Sequence, residues 1–408
     1  MNTHAETAPE LRRIDRAAPY AALGAGLIGA GGLAAGVLAG WLNGWDVFFR
    51  SYLLNYCYVL SLALGALFFV LLQHLTRAGW SVSVRRLAEF IAATLPLLAL
   101  LFLPLLVPVF KGMDGVWSWT NPQVVAEDPL LRAKQPYLNV PFFVVRCAIY
   151  FGIWSLLARF YLKTSVAQDA SGDPELTLRM QWWSAPGMLL YALTVTFFAL
   201  DALMTLQPHW YSTIFGVYFF SGAVVGFFAL LALVVYFVQR AGRLTRSVTI
   251  EHYHDIGKLA FGFVVFWAYI AFSQYMLIWY ANIPEETIWY RPRQGDTWWI
   301  GVSLVLLFGH FVAPFVVLLS RYPKRRPGLL VLACAWLLLM HWIDIYYLVG
   351  PQPHMVGGAD TPLHVTDFLL LVGLGGLFVC GLLRPMGRYA LLPERDPRLS
   401  ESLTFENV

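Results

Sequence analysis

Long apolar stretches separated by short polar ones run through the chain from residue 19 to residue 384. Each stretch holds about 20 residues, the length of helix that crosses the roughly 30 Å of bilayer hydrocarbon at 1.5 Å per residue. The pattern predicts ten transmembrane helices, at 19–42, 52–73, 87–110, 141–162, 183–205, 212–237, 257–281, 298–320, 327–348 and 366–384. Barrel strands would alternate polar and apolar positions, whereas these runs are apolar on every side. The expected architecture is an all-α polytopic membrane protein, with polar tails at 1–18 and 385–408. The first run follows Arg12, Arg13 and Arg16 and is long enough to span, so it reads as a helix and not as a cleaved leader.

Composition agrees. Hydrophobic residues make up 59% of the chain and charged residues 13%, with a mean hydropathy of +0.62. Soluble domains are about one quarter charged. Basic residues set the orientation: 21 of the 28 Lys and Arg fall in the tails, in the loops on the same side as the tails, or in the span ends next to them. Only Arg50, Lys111, Arg132, Lys134, Arg291 and Arg293 lie on the other side, and Arg146 lies within a span. By the positive-inside rule both termini are expected in the cytoplasm. Trp41, Trp45, Trp117, Trp119, Trp210, Trp279, Trp298 and Trp299 fall near the opposite boundary, as interfacial anchors do. The net charge of +4 reflects this topology, and no nucleic-acid motif is present.

Spans two and six echo one another. Tyr58, Ser61 and Ala63 match Tyr218, Ser221 and Ala223 at an offset of 160, and Arg77-Ala78-Gly79 matches Arg240-Ala241-Gly242 at 163. Four spans separate them, so both run in one direction. A parallel repeat of two four-helix bundles, spans 2–5 and 6–9, flanked by spans 1 and 10, follows. Chance similarity of two Leu-, Phe- and Ala-rich helices is the competing explanation.

Little redox chemistry is written in the chain itself. Cys57, Cys147, Cys334 and Cys380 sit in four different spans, with no C-x-x-C pair, haem-attachment motif or ferredoxin spacing. The stretch GAGLIGAGGLAAG at 24–36 lies inside span one, where small residues serve helix packing better than phosphate binding.

Polar residues inside the spans say more, because they are costly in hydrocarbon. His341, Asp344 and Tyr347 share one face of span nine at three-residue spacing. Asp201 in span five, Gln274 in span seven, His310 in span eight and Arg146 in span four complete the set. Three readings compete. Arg146 could pair with Asp201 or Asp344 and only lock helices. His310 and His341 could ligate a haem b, although a two-haem site would need four such histidines. A proton path through Asp201, Gln274, His310, His341, Asp344 and Tyr347, or a quinone site at His341 and Asp344, would use a histidine beside a carboxylate as acid and base.

Three segments resemble a known family: PHWYSTIFGVYFFSGA (208–223), HYHDIGKLAFGFVVFWAYIAFSQYMLIWYANIPEETIWY (252–290) and HWIDIYYLV (341–349). They are similar to the ActF-type membrane subunits of bacterial alternative complex III, a quinol:cytochrome c oxidoreductase, within the NrfD-like (polysulfide-reductase membrane subunit) superfamily. The resemblance implies two four-helix bundles and a place in the bacterial inner membrane. It implies a sibling NrfD-like subunit (ActC-like), a multihaem cytochrome c subunit, an iron–sulfur subunit and other small membrane subunits as partners, with a terminal oxidase as a further associate. Haem c and iron–sulfur clusters would lie in those partners, and this chain would hold neither a metal nor a redox cofactor. It would contribute a proton-translocation path and quinol contacts. His341 and Asp344 match the family's polar positions in span nine, and Asp201 its acidic position in span five. A non-catalytic membrane scaffold and a solute transporter are the alternative functions.

Overall fold

A backbone segment in hydrocarbon has to satisfy its own N–H and C=O groups, and a helix does so within one segment. The computed structural model describes residues 10–14, 17–351 and 363–407, and every apolar run is helical. Ten helices are long and apolar enough to span a membrane: α1 Ala18–Asn43, α2 Trp45–Leu75, α3 Val82–Lys111, α4 Val140–Ser171, α5 Glu175–Leu206, α6 Phe215–Arg240, α7 Ile250–Ala281, α8 Thr297–Leu319, α9 Pro327–Val349 and α10 Val365–Met386. Among the described residues there is no strand. The chain is an all-α polytopic membrane protein. Ten crossings leave both tails on one side, here the terminal side; the other is the distal side. Most of the 1–18 tail lies outside the described residues.

Several helices outrun the apolar stretches that mark them. Helix α7 starts at Ile250, because Thr249 and the His252 ring form a capping box and the backbone N–H of Thr249 donates to His252 Nδ1 at 3.1 Å. Helix α5 likewise begins at Glu175. Helical bonding continues into the polar boundary, where hydropathy loses it. Helix α3 is broken into Val82–Ala92, Leu95–Leu101, a 3-10 turn and Leu106–Lys111. Pro96, Pro104 and Pro108 each remove a backbone donor there.

Helices α2 and α6 form the centre. The apolar window of α2 is 89% buried, against 22% for α1. The two cross at Gly65, where a Cβ would lie 2.5 Å from the Ala223 carbonyl oxygen. Helices α3, α4 and α5 gather on the α2 side and α7, α8 and α9 on the α6 side. Tyrosines tie the first group: Tyr56 donates to Leu98 O at 2.9 Å and Tyr191 to Leu64 O at 3.0 Å. Helix α1 pairs with α10 through the glycine-rich stretch. A Cβ on Gly32 would lie 2.6 Å from Gly373 N, and one on Gly376 2.7 Å from Gly29 N.

The segment after α10 lies across the terminal side. Leu391 N donates to Arg12 O at 2.8 Å, and Asn407 Nδ2 to Glu251 O at 3.3 Å. Beneath it Arg86 is fully enclosed, 3.1 Å from Glu89, 2.9 Å from Asp169 and donating to Ala390 O at 3.3 Å. Arg85 bridges to Asp396. These charges fasten the tail to α3 and α4.

Candidate functional site

The polar residues of the distal half separate into two groups. In the first, Arg146 on α4 grips Asp201 on α5: Nε donates to Oδ2 at 2.7 Å and Nη2 to Oδ1 at 3.0 Å. Tyr150 OH donates to Oδ2 at 2.7 Å. The guanidinium also donates to Tyr137 O at 3.0 Å and lies 4.0 Å over the Tyr137 ring. Asp201 is thus saturated by groups of α4, and of the two acids weighed for Arg146 it is the partner.

The second group gathers where α9 meets α2, α6, α7 and α8. His341 and Asp344 are buried against the glycines of α6: a Cβ at Gly222 would lie 3.0 Å from Asp344 Oδ2, and one at Gly226 2.6 Å from His341 Cδ2. Any side chain at either position would push α9 away. Tyr218 OH donates to Asp344 Oδ1 at 2.5 Å and Trp267 Nε1 donates to Oδ2 at 3.1 Å. Among the described residues no Lys or Arg forms an ion pair with Asp344; its nearest basic atom is His341 Nδ1 at 3.9 Å.

Both halves of the internal echo end here. Ser61 Oγ donates to Tyr58 O at 2.7 Å, and Ser221 Oγ to Tyr218 O at 2.7 Å, the same local bond on α2 and α6. Ser61 Oγ also lies 2.7 Å from His341 Nε2, as Tyr218 OH meets Asp344. A serine hydroxyl has one proton. With that proton on Tyr58 O, His341 Nε2–H donates to Ser61, and the bare His341 Nδ1 faces Asp344. A proton on Asp344 therefore has an acceptor a short movement away.

His310 joins from α8 because that helix is irregular. Leu306–Val312 is a π-helical turn, and Pro314 cannot donate to the carbonyl of His310. Trp336 Nε1 takes the Gly309 carbonyl at 2.7 Å. The His310 ring lies 4.1 Å from Trp267 and 6.4 Å from His341, with both its nitrogens unpartnered among the described residues. A haem between the two histidines does not suit this packing: Trp267 covers one ring, and Ser61 occupies the Nε2 of the other. Among the described residues no three His, Cys, Asp or Glu side chains form a metal cage.

Next to this cluster a cavity of about 430 Å³ lies between α7, α8 and the distal end of α9. Tyr218, Trp267, Gln274, Tyr290 and Tyr347 supply its polar edges, and Phe272, Leu304 and Leu307 its apolar rim. Those three rim residues are 61%, 49% and 49% exposed on faces that meet lipid in a membrane, so the cavity opens sideways. Gln274 accepts from Ser212 Oγ at 3.1 Å and donates to Tyr290 OH at 3.3 Å. Arg293 roofs the distal end, stacked 3.4 Å over Trp289 and donating to the carbonyls of Tyr347 at 3.0 Å and Leu348 at 3.3 Å. It caps the C-terminus of α9, where backbone carbonyls lack helical partners. Burial lowers its guanidinium to about 10, against the pull of nearby phenols, so it stays charged at neutral pH.

His341, Asp344 and His310 are therefore brought together; Gln274 and Tyr347 line the adjoining cavity; Asp201 belongs to a separate ion pair. His341 and Asp344 do not line the cavity, so a molecule in it would meet Tyr218 and Trp267 first. Ser61 and Tyr218 were visible in the echo, but Trp267 carried no signal beyond being aromatic inside a span, and Tyr290 and Arg293 none beyond being aromatic or basic near a boundary. No protein-family model matches the chain, and no curated protein matches it.

Proposed function

We propose that the chain is an ActF-type membrane subunit of a quinol:cytochrome c oxidoreductase in a bacterial inner membrane, with cytoplasmic termini, and that it handles protons at Asp344. The redox centres would sit in an iron–sulfur subunit and a multihaem cytochrome c subunit, beside an ActC-like sibling. One observation carries the protonic role: a carboxylate 1% exposed, inside a span, held by a phenol and an indole and, among the described residues, by no Lys or Arg. Asp201, by contrast, is held by an arginine; a buried carboxylate without a cation can be charged or neutral at closer cost. Tyr218 links it to the cavity, and His341 with Ser61 leads inward.

This station reaches from the distal boundary to the middle of the spans. From Ser61 to Gln73 on α2 is about 18 Å of helix, and the residues between are apolar or small. Gln73, His74 and Glu89 are buried polar residues of the terminal side, Glu89 within the ion pair with Arg86. Protons crossing the whole subunit would use two half-paths separated by that apolar band.

Asp344→Asn in the assembled complex is the test. Turnover or proton release per electron is expected to fall on the order of 10²-fold, the lower range for a positioned acid–base group. Subunit composition and haem content should stay normal. Unchanged turnover and proton release in an intact complex would reject the role. Poor assembly with normal turnover per assembled complex would favour the scaffold.

The cavity favours a second reading, in which a quinol ring enters from the lipid and contacts Tyr218, Gln274 and Tyr290. Gln274→Leu is then expected to raise the quinol KM several-fold with kcat nearly constant, the signature of lost uniform binding. An unchanged KM would remove quinol from this cavity and leave the protonic role standing.

A further inference from the structure

A second cavity, of about 370 Å³, lies on the other bundle at the distal boundary. One wall is the end of the short helix Pro129–Lys134 and the turn that follows it; the other is the last turns of α5 and the loop after them. Its floor is apolar, with Phe197, Leu200 and Met204. Phe197 is 42% exposed, and Leu193, one turn deeper on the same face, is 58% exposed, so the floor continues into an open apolar track along α5. Trp210 lines it from within, and Tyr211, 65% exposed, stands at its rim in the position of an interfacial aromatic.

Among the described residues Lys134 is the one charged residue lining it, and no acid does. Its ammonium donates to Pro208 O at 2.6 Å, which leaves two of its three N–H groups. The neighbouring acid is engaged elsewhere: Asp128 accepts from the backbone N–H groups of Leu130 and Leu131 and lies 2.5 Å from His209 Nε2. Burial pulls Lys134 below the usual lysine pKa, opposed by Asp128, so the site gains from a counter-anion. Trp210, 1% exposed, has an indole N–H without a partner among the described residues.

We propose that this cavity binds one anionic phospholipid of the distal leaflet, its phosphate on Lys134 and one acyl chain along Phe197, Leu200 and Met204 toward Leu193. A cationic head at the polar boundary joined to an apolar track into the hydrocarbon matches the two ends of such a lipid. Water would leave the apolar floor unsatisfied, and a free phosphate would leave it empty. The assignment does not depend on the role of Asp344.

Full-length protein, stripped of lipid in mild detergent, is titrated with dioctanoyl phosphatidylglycerol, dioctanoyl phosphatidylcholine and inorganic phosphate, with bound mass read by native mass spectrometry. One phosphatidylglycerol per chain is expected, favoured over phosphatidylcholine by roughly tenfold, with no binding of phosphate. Lys134→Glu and Leu200→Trp should each weaken that binding by about tenfold or more, the first by charge and the second by filling the track. Lys134→Arg should retain it. Each variant is compared at the wild-type melting temperature, and a variant that fails this check is replaced by Lys134→Gln or Phe197→Trp. Equal retention of both lipids, binding of phosphate alone, or indifference to either substitution overturns the proposal.

Discussion

Asp201→Ala is expected to destabilise the protein by about 3–5 kcal/mol, the cost of leaving a buried guanidinium without its carboxylate. The Asp201 carboxylate is fully enclosed and accepts two bonds from Arg146 and one from Tyr150. Removing it strands the guanidinium between the Tyr137 and Phe142 rings, 4.0 and 4.3 Å away. Arg146→Ala strands the carboxylate and should cost a similar amount. The double replacement Arg146→Met with Asp201→Leu should cost much less than the two single losses together, because both charges go. Unfolding of detergent-solubilised variants by heat or denaturant gives the cycle. Additive losses would mean that the pair does not act as a unit. Asp201→Asn separates this role further, since loss of stability with normal proton release per assembled complex assigns Asp201 to packing alone.

The second large effect is expected at the α1–α10 seam. Gly32→Leu should cost about 3 kcal/mol, the upper end of overpacking penalties. The atoms it would meet are backbone: Gly373 N at 2.6 Å, Gly373 Cα at 2.8 Å and Leu369 O at 2.9 Å from the new Cβ alone. Backbone cannot rotate aside as a side chain can. Gly31→Leu is the control, because a Cβ there meets nothing within 4 Å and the position faces outward. Proteolysis of the connection between α1 and α2, with thermal stability, reads the difference. Equal tolerance at 31 and 32 would mean that the helices meet elsewhere.

How much of this was legible depended on the kind of signal. The ten spans follow from hydropathy, because the bilayer imposes one length and one chemistry on every crossing. The glycine stretch of α1 is read correctly as packing for the same reason. Its partner was not legible: nothing in 24–36 points to Gly373 and Gly376, and adjacency of the first and last spans is a matter of three-dimensional closure. The echo at Tyr58 and Ser61 was real in a local sense, since both copies make the same serine-to-carbonyl bond. That these copies would converge on one histidine and one aspartate of α9 was beyond a comparison of two strings.

The polar residues mark the limit most clearly. Cost in hydrocarbon singled out Asp201 and Asp344 alike, because a sequence counts buried charges one at a time. Which of them has a cation depends on what α4 and α6 bring to it. Helix α4 brings Arg146 and a tyrosine to Asp201; helix α6 brings glycines and a tyrosine to Asp344. The π turn that seats His310 over Trp267 depends on Pro314 and on Trp336 from another helix. Apolar length, which is a property of segments, thus carries the ten spans, whereas pairing, cavity shape and access from lipid are properties of helix contacts and emerge only when the helices pack.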